Sequence, residues 1–464
     1  MAGGLMQLVA YGAQDVYLTG NPKVTFFQAV YKRHTNFAME NIEQTVNGTA
    51  SNNGRVSVTV ARNGDLIGDM YIELLLNNKV GCTGGTAELS GAWAAERAIK
   101  SVELSIGGQR IDKHYQLWWR LYSELYLDES KKAEYGKMTS KVLTAADAAT
   151  QTAYLPLVFF FNRNPGLFLP LIALQYHEVR LDFDLSAEFS HYTDGSTFKV
   201  WGNYVYLDTE ERRRFAQKGH EYLIEQVQHT GSDTVTAGAS RQVRLSYNHP
   251  VKELVWCFNS GGVSNAATWN FTSNAMTANA VVLTTNTTQF TGLSPTAAGT
   301  GAPMLLTGTD GGAADWVEDG AVADATHSVG PLDSMKLVLN GQDRMKEQKG
   351  KYFNQVQPFN HHSGCPYPGV YAYSFALRPE EHQPSGTCNF SRIDNAQVAV
   401  TLKSGTEDNQ TMHMFATNFN VLRIQSGMGG LAFSNWWAYH CLNMVKLLEK
   451  NLIKTQILRY EQIS

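Results

Sequence analysis

Val102-Glu-Leu-Ser-Ile-Gly-Gly-Gln-Arg110 and Met335-Lys-Leu-Val-Leu-Asn-Gly-Gln-Asp343 spell one pattern twice. Each is a strand of alternating apolar and polar residues that runs into a Gly-Gln turn. The pattern recurs outward from both. An aromatic stretch follows in each half, Leu157-Val-Phe-Phe-Phe and Tyr371-Ala-Tyr-Ser-Phe. Then comes a Pro-containing segment, around Pro170 and around Pro384, and then an alternating strand, Val179-Arg-Leu-Asp-Phe and Val398-Ala-Val-Thr-Leu. Chance accounts for any one pair, but not readily for four in the same order. The period is far longer than a solenoid repeat, so the sequence reads as a domain duplication giving two tandem antiparallel β-sandwiches.

The first half supports the β reading. Val56, Val58 and Val60 alternate, as do Met70, Ile72, Leu74 and Leu76. Tyr154–Phe161 reads as a strand covered on both faces, and Val200–Leu207 closes the half. His114–Met138 departs from the pattern, with Leu117, Leu121 and Leu125 at helical spacing, and predicts an inserted helix. Asp208-Thr-Glu-Glu-Arg-Arg-Arg follows, with Asp208 or Thr209 as a helix cap, and marks the boundary. In the second half, strands are expected at Tyr222–Val227 and Val243–Tyr247. Asn259–Thr309 contains no Asp, Glu, Lys or Arg and then turns acidic, which predicts a long, partly ordered surface excursion. Trp436–Ser464 has broadly helical spacing and reads as an amphipathic tail packed on its own protein. At the other end, Tyr11–Phe37 reads as two extended pieces about a Gly20-Asn21-Pro22 turn, with Asn21 extended before Pro22 and the first strand starting near Lys23. The expected segments are an arm 1–22, a first domain 23–207, a linker 208–221, a second domain 222–435 with its insertion at about 259–333, and a tail 436–464.

Composition narrows the function classes. The chain has 464 residues, a formal charge of −4, 43% hydrophobic residues and 40 glycines, which suits strands and turns. With a pI near 6.4 it lacks the basic bias of a nucleic-acid wrapper. Five scattered cysteines without a CxxC make neither a disulfide framework nor a zinc site. The N-terminus does not read as a signal peptide and no run reads as a membrane span. No phosphate-loop, dinucleotide or nucleophile-elbow motif appears. His361-His362 reads as a surface turn and His177-Glu178 as a strand pair rather than metal ligands. No catalytic, cofactor or metal site is therefore assigned. Asn47, Asn270, Asn286, Asn389 and Asn409 head glycosylation sequons. Asn270, Asn286 and Asn409 are the candidate acceptors, while Asn389 is expected close to the core.

The wording of several stretches is more specific than their pattern. Gln7-Leu-Val-Ala-Tyr-Gly-Ala-Gln-Asp-Val-Tyr-Leu-Thr-Gly-Asn-Pro, Arg62-Asn-Gly-Asp-Leu-Ile and Ile106-Gly-Gly-Gln-Arg-Ile-Asp-Lys-His-Tyr are three of them. Pro170-Leu-Ile-Ala-Leu-Gln-Tyr-His-Glu-Val, Pro384-Ser-Gly-Thr-Cys-Asn-Phe-Ser-Arg and Ser426-Gly-Met-Gly-Gly-Leu-Ala are three more. From near Met1 to about Asn435 the chain resembles the major capsid proteins of large icosahedral double-stranded DNA viruses of the phycodnavirus type. The resemblance implies an all-β fold of two eight-stranded jelly rolls with short inserted helices and long surface loops. It implies homotrimers that form pseudo-hexagonal capsomers and tile a shell around the genome, without catalysis or a cofactor. It implies neighbouring capsomers, minor capsid and penton proteins as partners, proximity to an internal membrane and no sequence-specific nucleic-acid contact. It places the protein in the virion, after synthesis and assembly in the host cytoplasm. The arm would face inward and the second-domain loops outward, where some relatives carry glycans. The tail from Trp436 lies beyond the resemblance. A lectin-like carbohydrate-binding jelly roll is the alternative, and a hydrolase ranks below it.

Overall fold

Alternating sequences make strands here because each strand has one face to bury, and the exceptions show where both faces are covered. The computed structural model describes residues 3–76, 93–140, 151–193, 197–236, 238–259, 305–307, 315–317, 330–364, 366, 369–403 and 410–433. They divide into two units, Met1–Phe37 and Ala38–Ser464.

The larger unit holds both sandwiches. The first has β1 (Phe37–Gln44), β2 (Arg55–Thr59), β3 (Leu66–Leu75), β4 (Ile99–Ile106), β5 (Gln109–Tyr115), β6 (Thr152–Pro156), β7 (Val179–Leu185) and β8 (Lys199–Leu207). The second has β9 (His220–Val235), β10 (Ser240–Leu245), β11 (Pro250–Asn259), β12 (Leu332–Leu339), β13 (Gln342–Asp343), β14 (Val370–Ser374), β15 (Ala396–Leu402) and β16 (Gln410–Gln425). The strand orders β1-β8-β3-β6 and β2-β7-β4-β5 recur as β9-β16-β11-β14 and β10-β15-β12-β13. Each pair of sheets is a jelly roll, and the duplication read from the sequence holds in strand order, with Val46–Asn47 added at one edge in the first roll and Met428–Leu431 beside β16 in the second.

It also holds in register. Leu66 and Ile67 pair with Pro170 and Leu169, as Pro250 and Val251 pair with Asn389 and Cys388. Tyr71 lies between Trp201 and Pro156, as Val255 lies between Phe415 and Ala372. The repeated Gly-Gln turns are two-residue hairpins with positive φ at both central positions: Gly107 and Gly108 in one, Asn340 and Gly341 in the other. That geometry matches the strand twist and selects Gly or Asn.

Between β5 and β6 the expected helix is present as two, α1 (Gln116–Leu125) and α2 (Glu129–Met138). Asp208 caps α3 (Thr209–Gln217) by accepting the Thr209 N–H at 2.8 Å. Arg212 of α3 reaches back to Asp65 at 3.0 Å, tying the linker to the first roll.

Several expectations are corrected. Tyr154–Phe161 is not one strand: β6 ends at Pro156, and Phe160–Arg163 is a helical turn. The Phe159, Phe160 and Phe161 rings are all buried, and a short apolar run does not distinguish a buried strand from a buried turn. Val24–Tyr31 forms no strand, and the first begins at Phe37. Strand propensity describes fit to a half-buried pleat, and among the described residues no strand pairs with this segment. Before it, Gly3–Val9 and Val16–Thr19 are helical rather than extended, and Asn21 has φ 52°. Asn tolerates that left-handed conformation through its short polar side chain. Within the acidic-ended excursion, the ribbon Leu305–Thr307 with Asp315–Val317 is described between its two ends at Asn259 and Gly330. The Trp436–Ser464 helix lies outside the described residues.

Candidate functional site

The residues with the most unusual chemistry meet where the two rolls join. α1 packs on both sides. Leu117, Leu121 and Leu125 point into the first core, while the Trp118, Tyr122 and Tyr126 rings lead towards the second roll. Trp118 meets Phe415 of β16 at 5.7 Å between centroids, and Tyr115 meets His229 of β9 at 4.9 Å. His229 stacks on Phe415 at 4.6 Å and lies 5.8 Å from His413. Burial pushes both imidazoles down to about 4, so at neutral pH they act as uncharged rings. The outer face of the β9-β16-β11-β14 sheet is thus absorbed into the first core, with Ile224, Val255, Cys257, Val370, Ala372 and Phe415 among the shared residues. This explains β11, whose residues from Val251 onward are all buried, whereas β3 alternates.

A polar junction borders this apolar contact. Glu225 of β9 is 5% exposed and receives Arg163 of the first roll at 2.9 Å and Lys252 of β11 at 2.8 Å. Burial alone would raise its carboxyl, but Arg163 and Lys252 outweigh burial and hold it below the usual range. Burial brings the Lys252 ammonium down to about 8 despite Glu225. Lys252 also donates to the Pro379 carbonyl at 2.7 Å. Alongside, the His362 side chain is 1% exposed and makes ion pairs with Glu253 at 3.1 Å and Glu380 at 3.5 Å. Burial opposes its charge, yet the two carboxylates raise it to about 9. The Tyr126 ring of the first roll meets His362 edge-on at 5.4 Å.

In a third strip, side chains of the first roll meet backbone of the second. Ser426 and Gly427, both at positive φ, turn β16 back into the short strand Met428–Leu431. The Leu431 N–H donates to Gln109 Oε1 at 3.2 Å, and His177 Nδ1 contacts the Gly429 carbonyl at 2.8 Å. A Cβ on Gly427 would lie 2.6 Å from the Tyr176 ring, and one on Gly107 (φ 57°) 2.4 Å from His177. Gly107→Ala is therefore expected to destabilise the protein by about 1–3 kcal/mol through combined strain and overpacking. Urea midpoints of the two proteins check this.

His361-His362 is thus not a simple surface turn, because the His362 side chain is an interior ion-pair partner. His177 precedes β7 rather than lying in it, and bridges the rolls. Asn270, Asn286 and Asn409 lie outside the described residues. Asn47 is exposed, and so, contrary to expectation, is Asn389, where Phe390 is buried instead. Asn389 Oδ1 accepts the Ser391 N–H at 3.0 Å. The Glu225, Lys252, Glu253 and His362 junction was missed in the sequence, although Lys252-Glu253 inside the apolar run Val251–Phe258 was its signal. Among the described residues no group of three His, Cys, Asp or Glu converges as for a metal ion, and Cys257 and Cys388 are free.

Two jelly rolls fused along a packed seam make this a double jelly-roll protein. Residues 25–208 match the family described as major capsid protein N-terminus, and residues 211–430 that described as large eukaryotic DNA virus major capsid protein. The major capsid protein of Paramecium bursaria Chlorella virus 1 is 45% identical, over 94% of this chain and 100% of the relative. That of Pyramimonas orientalis virus is 42% identical, with the same coverage. A chain of the PBCV-1 virus capsid quasi-atomic model is 40% identical, with a TM-score of 0.70 over 89% of this chain and 100% of that one. The Faustovirus major capsid protein, 14% identical with a TM-score of 0.62 over 91% of this chain and 96% of that one, shares the fold. The chain belongs to the major capsid protein family of large eukaryotic DNA viruses. It is a structural component of the virion shell, and the carbohydrate-binding alternative finds no support in these likenesses.

Proposed function

We propose that three copies of this chain close into a pseudo-hexagonal capsomer, and that these capsomers tile an icosahedral shell around a double-stranded DNA genome. The in-register duplication carries the reading, because closed threefold symmetry acting on two matched rolls gives a sixfold outline. The chain acts without catalysis. Its partners are neighbouring capsomers, minor capsid proteins and penton proteins, close to an internal membrane, after synthesis in the host cytoplasm. The first roll, from Phe37 to Leu207, and the second, from His220 to about residue 435, flank α3, with residues 1–36 before them and the tail 436–464 behind. Asn270, Asn286 and Asn409 are the proposed glycan acceptors.

Size-exclusion chromatography with light scattering tests the assembly. A particle of three chain masses is expected, and a stable monomer with saccharide affinity would overturn the reading. The arm offers a second check. No residue of Gly3–Asn36 is buried, and none belongs to either large core. Deleting residues 1–21 is expected to leave the thermal midpoint within about 2 °C, a change of under about 0.5 kcal/mol in a chain this long. Shell assembly should be impaired. Unfolding of the first roll on deletion would show that the arm belongs to the fold.

A further inference from the structure

Two histidines stack on each other inside the seam between the rolls. β16 alternates there: Met412 and Met414 point into the second roll's own core, while Phe415 belongs to the core shared with the first roll. The two-residue period of a strand puts His413 on the Phe415 side. β9 delivers His229 opposite Phe415, and a bulge at Thr230 and Gly231 (φ 118°) separates that pair from Ser232 and His413. The two imidazoles lie 5.8 Å apart with 17° between their planes. His229 is held further by Phe415 at 4.6 Å and by Tyr115 of the first roll at 4.9 Å. Its Nε2 is buried without a hydrogen-bond partner.

The charged groups around the pair are committed elsewhere. On β5, Asp112 accepts the Val227 N–H at 3.1 Å and pairs with His114 at 2.9 Å. Lys113 lies 5.7 Å over the Tyr115 ring and pairs with Glu103 at 3.8 Å and Asp184 at 3.9 Å. Tyr115 is a neutral phenol that burial raises further. On β9, Asp233 pairs with Arg241 at 3.4 Å, and Glu225 is held by Arg163 and Lys252, with His382 at 4.0 Å. On β11, Cys257 pairs in register with His413 and is a neutral thiol that burial pushes up to about 12. α1 brings Trp118, which carries no charge. Burial is what lowers His229, and at His413 the neighbouring His229 adds to burial. Two protons here would set like charges 5.8 Å apart among apolar rings.

We propose that the His229–His413 pair is an acid latch on the seam. The seam closes over two neutral imidazoles, and proton uptake frees the outer face of the β9-β16-β11-β14 sheet from the first roll while both rolls stay folded. The architecture suits such an opening. The second roll keeps a separate inner core, with Leu254, Trp256, Val398 and Met414, and α3 between the rolls buries no residue. In the closed seam both rings are held down to about 4, and in the open one each regains its ordinary value of about 6.5. A base lowered in the closed form favours closure above about 6.5, and that contribution is lost as pH falls towards about 4. Between pH 7 and pH 5 the open form gains about 20-fold from each imidazole and several hundred-fold from the pair. The carboxylates Glu225 and Glu380 are held low and respond only below this window. His362 keeps Glu253 and Glu380, both from its own roll, when the seam opens.

Cys257 reports the opening, since it is free, 0% exposed and on the seam face. The full chain is labelled with 4,4′-dithiodipyridine at pH 7 and at pH 5. The rate at Cys257, read by peptide mass spectrometry, is divided by that of the urea-unfolded chain at the same pH. This ratio is expected to rise by about 100-fold or more in the parent, with the far-UV circular dichroism unchanged. In H229F/H413F, where phenyl rings fill the same stacks without a proton site, it should rise by less than about 5-fold. H413Q alone should respond by about 20-fold, which supplies the comparison if the double variant does not fold. An equal rise in parent and variants would overturn the assignment to these histidines and move the sensor to His382 or Glu225. No rise in the parent would overturn the latch. A rise that comes with loss of circular dichroism would mean that the rolls unfold together, which would overturn the opening of a seam between folded rolls.

Discussion

Replacing Glu225 by alanine is expected to destabilise the protein by about 3–5 kcal/mol, the usual effect of breaking a buried ion pair from one side. Arg163 and Lys252 both rely on this carboxylate, at 2.9 and 2.8 Å, and Lys252 is 1% exposed. Without Glu225 two cations would face each other in the seam, with the Pro379 carbonyl left as a partner for Lys252. The loss should be smaller at pH 9.5 than at pH 7. The Lys252 ammonium is already held down to about 8 by burial, so at the higher pH it can stay neutral. Urea unfolding of parent and variant at both pH values measures this. Because Glu225 and Arg163 come from different rolls, the variant should also separate unfolding of the rolls into two steps. A loss below about 1 kcal/mol, typical of an exposed pair, would mean that water reaches the junction.

The fold was legible in the sequence where one face of a strand is wet and the other dry. Val56 and Val58, the Met70–Leu74 set and Val102–Ile106 announced β2, β3 and β4 by period alone. The two hairpins were legible because their turns need positive φ twice, which few residues supply. Legibility failed where burial is two-sided or absent. Phe159–Phe161 are buried in a turn, and period carries no information about an element with no wet face. Val24–Tyr31 failed in the opposite way, since strand-forming residues sat where no described strand pairs with them. The junction was hidden for a third reason. Arg163, Glu225, Lys252 and His362 come from four separate stretches, and only the topology brings them together. The single local clue was a Lys-Glu pair in β11, which period analysis treats as a fault in an apolar run.

That same pair sets the last expectation, a loss of stability on the alkaline side. His362 has its folded value raised from 6.5 to about 9. A raised base stabilises the fold fully below its unfolded value of about 6.5, and the contribution disappears as pH rises through about 9. The size is on the order of 3 kcal/mol for a shift of that extent. The surrounding charges shape the curve. Glu253 and Glu380 face the imidazole, and Glu380 is itself held low, burial being outweighed by His362 and Ser363. Its contribution is present above the ordinary carboxylate range and is lost only as pH falls through it. Lys252 and His382 lie across the Glu225 side of the junction and are both lowered. Lys252 acts in the opposite sense, since a lowered lysine favours the fold as pH climbs past about 8. The net curve mixes the two, so the test is a difference. The gap in unfolding free energy between the parent and the double variant H362F/E253Q should narrow steadily from pH 6.5 to 9.5. Lys252 is retained in both proteins and largely cancels. A gap that stays constant over that range would mean that His362 is neutral in the folded protein.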